Sequence, residues 1–291
     1  MQSLLTIVIP SYRSEKLILS HLKRIPSKYR IIIIENSYNK FLKKKIEKTY
    51  NNCDVFLKKN IGFGRAVNYA SKKVNTKYFV VLNPDTTIYQ NTLKILINSA
   101  NKIDKFGAIG PIDLKFRKNK YKKNVIESDI IHGPIMFFQT KTFITLKGFD
   151  KNFFLYYEEN DFFKRCNIAN LKLYLVTNSF YSHTITKKND KSLKLHSTTF
   201  SNIKEKNSTY YVGGWHGQWS KFYYLNKYNG FIKALLECLP QVILTILQMF
   251  LCFFYNHKKF KFKYYKLEGF FCSLVGLTSF KRSIYDKKNI F

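Results

Sequence analysis

Lys77-Tyr-Phe-Val-Val-Leu-Asn-Pro-Asp-Thr-Thr87 is the stretch on which the fold turns. Tyr78 to Leu82 is a short apolar run rich in β-branched and aromatic residues, the pattern of a strand buried on both faces and so central in a sheet. Asn83-Pro84 ends it, because proline donates no ladder hydrogen bond. Asp85 then falls just past the strand's carboxyl end, in an exposed cleft where open α/β sheets take their ligands. A carboxylate there can hold a cation. Alone, Asn-Pro-Asp-Thr reads equally well as a turn leading to a helix cap, so the surroundings decide.

Toward the amino terminus, apolar strands alternate with amphipathic helices: Leu4–Ile9, Ser14–Ile25, Arg30–Glu35, Asn39–Tyr50, Asp54–Leu57 and Phe63–Val74. Such alternation predicts an α/β fold, a mainly parallel sheet with helices on both faces. Each strand ends in polar residues: Ser11-Tyr12, Glu35-Asn36-Ser37, Asn60 with Gly62 and Gly64, then Asn83 and Asp85. They converge on one edge. The glycines of Asn60-Ile-Gly-Phe-Gly-Arg-Ala-Val-Asn68 open a helix and let a phosphate or ribose approach backbone N–H groups. Val67 stands where a dinucleotide fingerprint has its third glycine, which leaves a mononucleotide or a plain helix entry.

Toward the carboxyl terminus the reading gives a helix at Gln90–Asp104, a strand at Phe106–Gly110, and a strand at Ile130–Gln139 interrupted by Gly133-Pro134. Aromatic bulk in Phe153-Phe-Leu-Tyr-Tyr157 then runs into Glu158, Glu159 and Asp161. Carboxylates at a helix start complement its macrodipole, and carboxylates against an apolar wall are raised toward the pH of a general base. Neighbours on a helix are about 100° apart, so the three cannot share one cleft and one face must be structural. Leu171–Val176 is the last strand expected. Beyond it stands His183, a lone histidine that can be structural or can share a metal with Asp85, phosphate oxygens completing the shell.

Thr186–Asn207 is rich in Lys, Ser and Asn and reads as a mobile loop, and Ser220–Tyr228 as a helix. Cys238–Asn256 is uncharged over 19 residues, near the length of a bilayer span. Yet Glu237, Gln241, Thr245, Gln248 and Cys252 draw a polar stripe along it, which suits a helix lying in a membrane interface or packed on a partner. Nine basic residues against two acidic ones between Lys258 and Lys288 fit an anionic leaflet. The domain reading is therefore 1–230 for the α/β body and 231–291 for a helical extension at the membrane interface.

The 291 residues carry 50 Lys+Arg against 18 Asp+Glu, a formal charge of +32. That excess asks for an anionic partner. Only seven of the cations are Arg, the planar fork on which base and phosphate readers lean, so nucleic acid is not expected. Five widely spaced cysteines without a Cys-x-x-Cys pair give neither a disulfide frame nor a zinc site, as on a reducing cytosolic face.

In order along the chain, Ile-Pro10-Ser11-Tyr12, Ile-Glu35-Asn-Ser, Asn60-Ile-Gly62-Phe-Gly64-Arg-Ala-Val-Asn68, Leu-Asn83-Pro-Asp85, Gly148-Phe-Asp-Lys-Asn-Phe-Phe-Leu-Tyr-Tyr-Glu158-Glu159-Asn-Asp161 and Ser-His183 resemble the inverting family 2 glycosyltransferases. The likeness is to the rhamnosyltransferase-like branch that extends bacterial surface polysaccharides, and it covers about residues 4 to 183. It implies a GT-A fold and a nucleotide-diphosphate sugar donor held by Pro10, Ser11, Tyr12, Glu35, Asn60, Gly62, Gly64, Asn68 and Asn83. It also implies Mg²⁺ or Mn²⁺ at Asp85 with His183, and a lipid-linked saccharide acceptor on the cytoplasmic face of the inner membrane. Two departures stand out. Asn83 occupies the usual first Asp of the metal motif, and Glu158-Glu159 replaces the usual Glu-Asp pair.

By that pattern Glu159 takes the proton from the acceptor hydroxyl in a single inverting displacement, with Glu158 beside it. Glu35 can accept from the N3–H of uracil or thymine, whereas cytosine presents a bare N3 acceptor, so UDP- or dTDP-sugars are expected. The alternatives are a sugar nucleotidylyltransferase, which needs a glycine-rich loop after the first strand, and a basic membrane or nucleic-acid binding module without chemistry.

Overall fold

The computed structural model describes residues 4–89, 91–117, 121–131, 133–183 and 212–282. The Thr186–Asn207 loop lies outside them. The chain forms two compact units, Met1–Phe149 with Phe162–Ser201, and Asp150–Asp161 with Asn202–Phe291.

The first unit is built on a sheet whose described strands are β1 (Leu5–Ser11), β2 (Arg30–Glu35), β3 (Cys53–Leu57), β4 (Tyr78–Leu82), β5 (Thr86–Ile88), β6 (Ala108–Asp113), β7 (Val125–Ser128), β8 (Ile135–Gln139) and β9 (Leu173–His183). Their order is β3-β2-β1-β4-β8-β6-β9-β5, with β7 also on β9. The first four run parallel, β8 is antiparallel to β4, and β6 pairs parallel with β9. Helices α1 (Glu15–Leu22), α2 (Lys40–Thr49), α3 (Phe63–Ser71), α4 (Thr92–Ala100) and α5 (Thr140–Thr145) connect them, and α6 (Glu158–Ile168) follows.

Alternation along the strands sends side chains to two cores. Ile31, Ile33, Val80 and Leu82 pack with α1, α2 and α4, while Ile32, Ile34, Phe79 and Val81 pack with α3, α5 and the 162–168 part of α6. Both faces of the sheet are therefore covered, which is why its central strands carry no polar partner residues. The second core is an aromatic lattice: Phe138 meets Phe143 at 4.9 Å, and Phe143 meets Phe162 at 5.0 Å, between ring centroids. Edge and tilted pairs at these spacings add about 0.5–1.5 kcal/mol each beyond burial. Asn39 caps α2 by accepting from the Leu42 N–H at 2.9 Å.

The expected elements are present with shifted ends. The helix expected over Gln90–Asp104 is α4, Thr92–Ala100, and the last strand runs on to His183 rather than stopping at Val176. Two short strands were not anticipated. β5 is only Thr86–Ile88 and β7 only Val125–Ser128, each pairing with the extended β9. Pro111 lies inside β6, where the register with β9 shifts between Pro111 and Ile112, as a residue without an N–H requires.

The second unit is helical: a π-turn at Val212–His216, then α7 (Gly217–Asn229), α8 (Phe231–Tyr255) and α9 (His257–Leu274). Phe153 is buried with Trp215, Trp219, Tyr265 and Cys272, and Gly269 lies so near the Trp215 carbonyl that a Cβ would collide with it. α8 and α9 pack antiparallel: Gln248, eight residues before the turn at Asn256, accepts from Lys263, seven after it. Lys221 of α7 donates to Gln241 at 2.7 Å, and the Thr245 hydroxyl bonds the Gln241 carbonyl at 2.6 Å. The polar stripe of α8 thus faces its own neighbours. Outward go Ile232, Leu236, Ile243, Leu244, Ile246, Leu247, Phe250, Leu251, Phe253 and Phe254, all exposed.

Candidate functional site

The carboxyl ends of β1, β2 and β3 are stitched together by their own polar groups. Asn36 N–H donates to the Ser11 carbonyl at 2.7 Å, Asn60 N–H to the Asn36 carbonyl at 2.7 Å, and the Asn36 amide to the Gly62 carbonyl at 3.4 Å. Gly62 holds φ at 82°, a conformation glycine adopts without a Cβ penalty, and α3 with Gly64 starts from it. The Oδ1 of Asn36 is buried with no hydrogen bond among the described residues. A ligand donor would satisfy it.

Glu35 is the centre of this edge and has no exposed surface. Its Oε2 accepts from the Ser11 hydroxyl at 3.0 Å, and its Oε1 from the Ser37 N–H at 2.8 Å and from the Ser37 hydroxyl. Burial raises its pKa, while the Ser37 and Ser11 hydrogen bonds pull it back. The carboxylate therefore organises Ser11 and Ser37 besides any role toward a base. Next to it Tyr12 is buried under the Arg13 guanidinium, 5.2 Å from its ring centroid, and the Ser14 hydroxyl closes the turn on the Tyr12 carbonyl at 2.9 Å. Pro10 is buried at the end of β1.

Asn68 of α3 is engaged by the protein itself. Its amide donates to the Phe149 carbonyl at 2.7 Å while its oxygen accepts the Phe149 N–H at 2.8 Å, so both ends of the amide are engaged. Expected among nucleotide-binding residues, it is here a bracket that closes α3 onto the Gly148-Phe149 turn. Gly148, at φ 63°, has no room for a Cβ against that amide.

At the end of β4, Asn83 N–H donates to the Pro134 carbonyl at 3.0 Å and Thr86 N–H to the Asn83 carbonyl at 3.1 Å. β5 then pairs antiparallel with β9, and Thr86 stands opposite His183. Asp85 and His183, 98 positions apart in the chain, are thereby brought to neighbouring places at one sheet edge. Asp85 was expected in an exposed cleft, but it is buried, with 6% of its surface accessible. Sequence reasoning missed His21 of α1. Buried beside Asp85, it hydrogen-bonds the Thr86 backbone, and burial with the Arg24 charge lowers its pKa to about 4. Its helical position, with His21 and Leu22 both facing the core, was the available signal.

Among the described residues no group of three or more His, Cys, Asp or Glu could hold a metal. Asp85 and the Asn83 amide are nonetheless donors that Mn²⁺ accepts, while the His183 side chain lies outside the described residues. A cation held by one or two protein groups and completed by phosphate oxygens is the ordinary arrangement for Mg²⁺ as well. The donor set fits an ion that arrives with a diphosphate.

The second unit carries the carboxylates. Tyr156 and Tyr157, at φ 69° and 68°, both adopt the left-handed conformation that tyrosine seldom takes, and they set the entry to α6. Glu158 is buried and its Oε2 has no hydrogen bond among the described residues, whereas Glu159 is half-buried. Burial, with the Glu159 charge beside it, raises the pKa of Glu158 well above the carboxylate range, and burial raises that of Glu159. Asp161 is different. With no exposed surface, it accepts from Lys227 and from the Tyr228 hydroxyl at 2.9 Å. Lys227 also reaches Asp150 at 2.7 Å. Three neighbouring carboxylates are thus two raised groups and one ion-paired anchor.

The profile described as glycosyl transferase family 2 matches residues 6–173, more than half of the chain. No curated protein sequence matches. The fold is similar to that of the mannosyltransferase PcManGT from Pyrobaculum calidifontis in complex with GDP-Man and Mn²⁺, at a TM-score of 0.55 and 13% identity over 94% of this chain and 88% of that one. It is also similar to GalNAc-T7 with UDP, GalNAc and Mn²⁺ (TM-score 0.53, 16% identity, 76% of this chain and 50% of that one). A third likeness is to S. aureus TarS 1-349 in complex with UDP (TM-score 0.51, 17% identity, 62% and 59%). The chain spans half the length of the GalNAc-T7 chain and less than two thirds of that TarS chain. With a sheet of this topology, polar strand ends joined on one edge and a family match that runs from β1 to the start of β9, the chain belongs to glycosyl transferase family 2.

Proposed function

We propose that this protein transfers a sugar, rhamnose in the first instance, from a dTDP- or UDP-sugar to a lipid-linked or glycan acceptor of a bacterial surface polysaccharide, O-antigen or capsule. The transfer inverts the anomeric carbon, and it takes place at the cytoplasmic face of the inner membrane. The observation that carries the reading is the Thr86–His183 pairing. It pairs the residue after Asp85 with His183, and the parallel β1–β4 and β1–β2 registers, which run toward Ser11 and Glu35, support grouping these residues in one site.

Glu35, with Ser11 and Ser37 fixing its plane, receives the N3–H of the pyrimidine. Backbone at Asn60 to Gly62 and the Asn36 Oδ1 border the nucleoside. Asp85, with Asn83 and His183 near it, holds Mg²⁺ or Mn²⁺, which when bound neutralises charge on the diphosphate. His21 keeps the Asp85-Thr86 turn in place without adding charge. Glu159 takes the acceptor proton: burial raises its pKa above the ordinary carboxylate range, the direction a general base needs, and it is more open than Glu158. Glu158 lies beside it as a second buried carboxyl group.

The test is thermal. UDP or dTDP with Mn²⁺ raises the melting temperature, since a ligand that binds only the folded state must do so. CDP does not. Equal shifts with CDP and UDP would remove Glu35 as the reader of the base. A product keeping the donor's anomeric configuration, read by NMR, would remove the single displacement.

A further inference from the structure

The helix whose length and composition match a bilayer span turns an apolar face outward in the structure. α8 is the one described helix long and apolar enough to cross a bilayer, with a mean hydropathy of 1.8 over its best 18-residue window. At 100° per residue, the exposed Ile232, Leu236, Ile243, Ile246, Leu247, Phe250, Phe253 and Phe254 fall within about one third of the circumference, and Leu244 and Leu251 widen the arc to about half. Glu237, Gln241, Thr245, Gln248 and Cys252 centre on the opposite side. Gln241 and Gln248 there bond Lys221 and Lys263.

We infer that α8 lies in the plane of one leaflet of an anionic membrane, with its apolar arc in the acyl layer, and does not cross the bilayer. Its antiparallel neighbour decides between the two. α9 carries Lys258, Lys259, Lys261, Lys263 and Lys266 along its first ten residues, and at 1.5 Å per residue Lys266 is about 15 Å from the turn. If α8 crossed, α9 would take Lys263 and Lys266 toward mid-bilayer, where each lysine is strongly disfavoured. Lying flat, the same pair of helices keeps Lys221 and Lys263 on the water side of α8. Lys258 and Lys259 are exposed at the turn beside Phe253, Phe254 and Tyr255. Aromatic rings and cations together match an anionic headgroup layer, which is the complementarity that selects lipid over an apolar protein partner. The inference deepens the membrane placement proposed above. It rests on the helical unit alone, and its readout is binding and depth, so its failure is distinct from failure of the transferase reading.

The experiment uses the full chain with phosphatidylcholine vesicles and with vesicles of equal parts phosphatidylcholine and phosphatidylglycerol. Fluorophores are placed at Ile232→Cys, Ile243→Cys or Phe254→Cys, each with Cys252→Ser. In-plane insertion predicts similar quenching by brominated lipid at all three sites, at about 5–10 Å into the headgroup and acyl boundary. Deep quenching at 243 with shallow quenching at 232 and 254 is the signature of a span and overturns the proposal. Leu244→Glu with Leu247→Glu abolishes flotation on both vesicle types. Because that pair can disturb packing, Lys258→Gln with Lys259→Gln is the second variant. At about 1 kcal/mol per surface charge it weakens binding to the anionic vesicles by about 30-fold and leaves neutral vesicles unchanged. A chain that floats with neither vesicle type and elutes as a dimer places a second copy on the arc, which also overturns the proposal.

Discussion

Lys227 joins Asp150 and Asp161 through one ammonium group, and the Asp161 side chain within that pair has no exposed surface. Removing the cation takes from a buried carboxylate the ammonium that pairs with it. Lys227→Met is expected to cost about 3–5 kcal/mol of stability. Asp161→Asn costs less, and Lys227→Met combined with Asp161→Asn recovers part of the loss. Denaturant midpoints of the four proteins measure this. A double variant no better than Lys227→Met alone would mean that the two side chains are not coupled.

Glu159→Gln should lower turnover about 10²- to 10⁴-fold with substrate binding largely kept, as loss of a general base does. Glu158→Gln should be milder and appear in the acceptor KM. Both folded-state pKa values are raised above the ordinary 4.5. Turnover must therefore climb with pH through the raised value as the base loses its proton. Stability moves the other way. The unfolded carboxyls ionise first, so the contribution present below 4.5 is lost as pH rises through the folded value. Glu158→Gln flattens that decline. Loss of turnover in Glu158→Gln alone would shift the base by one residue.

Asp85→Ala should abolish turnover and Mn²⁺-dependent nucleotide binding. Because Asp85 is buried rather than open to solvent, some loss of stability accompanies it. The readout that separates the two is UDP binding by calorimetry with and without Mn²⁺ at a temperature where the variant is folded. Equal metal dependence in both proteins would take the cation away from Asp85.

His21 gives an acid limit. Its folded pKa is about 4 against 6.5 unfolded, so its contribution is full above 6.5 and is lost as pH falls toward 4. The slope integrates to on the order of 3 kcal/mol. His21→Gln keeps a donor for the Thr86 backbone and removes that slope. Melting curves between these pH values check it.

Glu35→Gln replaces an acceptor with an amide that has to turn one N–H group toward Ser11 or Ser37. UDP or dTDP binding should weaken by about 1–3 kcal/mol, with CDP unaffected. Competition of the three nucleotides against a fluorescent UDP analogue measures the difference.

The sheet was legible because its strands announce themselves: Arg30–Glu35 and Tyr78–Leu82 have the predicted ends. Strands β5 and β7 were not, since three or four residues carry no period, and it is pairing with β9 that makes them strands. The strand-end cluster of Ser11, Glu35, Asn36 and Asn60 was visible as a set of positions, but the bonds among its members are tertiary. Asn68 looked like a ligand group because a helix-opening motif does not reveal that Phe149, 81 residues on, uses both ends of its amide. The single structural face expected among the three carboxylates matches Asp161, though its partner Lys227 is 66 residues away and no local pattern points to it. On α8 the stripe is visible in the sequence as a period of polar residues. Which way it faced depended on Lys221 and Lys263.

The outward arc of α8 has a consequence for any preparation of this protein. An apolar face that broad is a liability for association in plain buffer. An amphiphile that covers it acts as a thermodynamic ligand of the helical unit. The free energy of that unit then varies with the logarithm of amphiphile activity, so two stability measurements are comparable only at the same detergent-to-protein ratio.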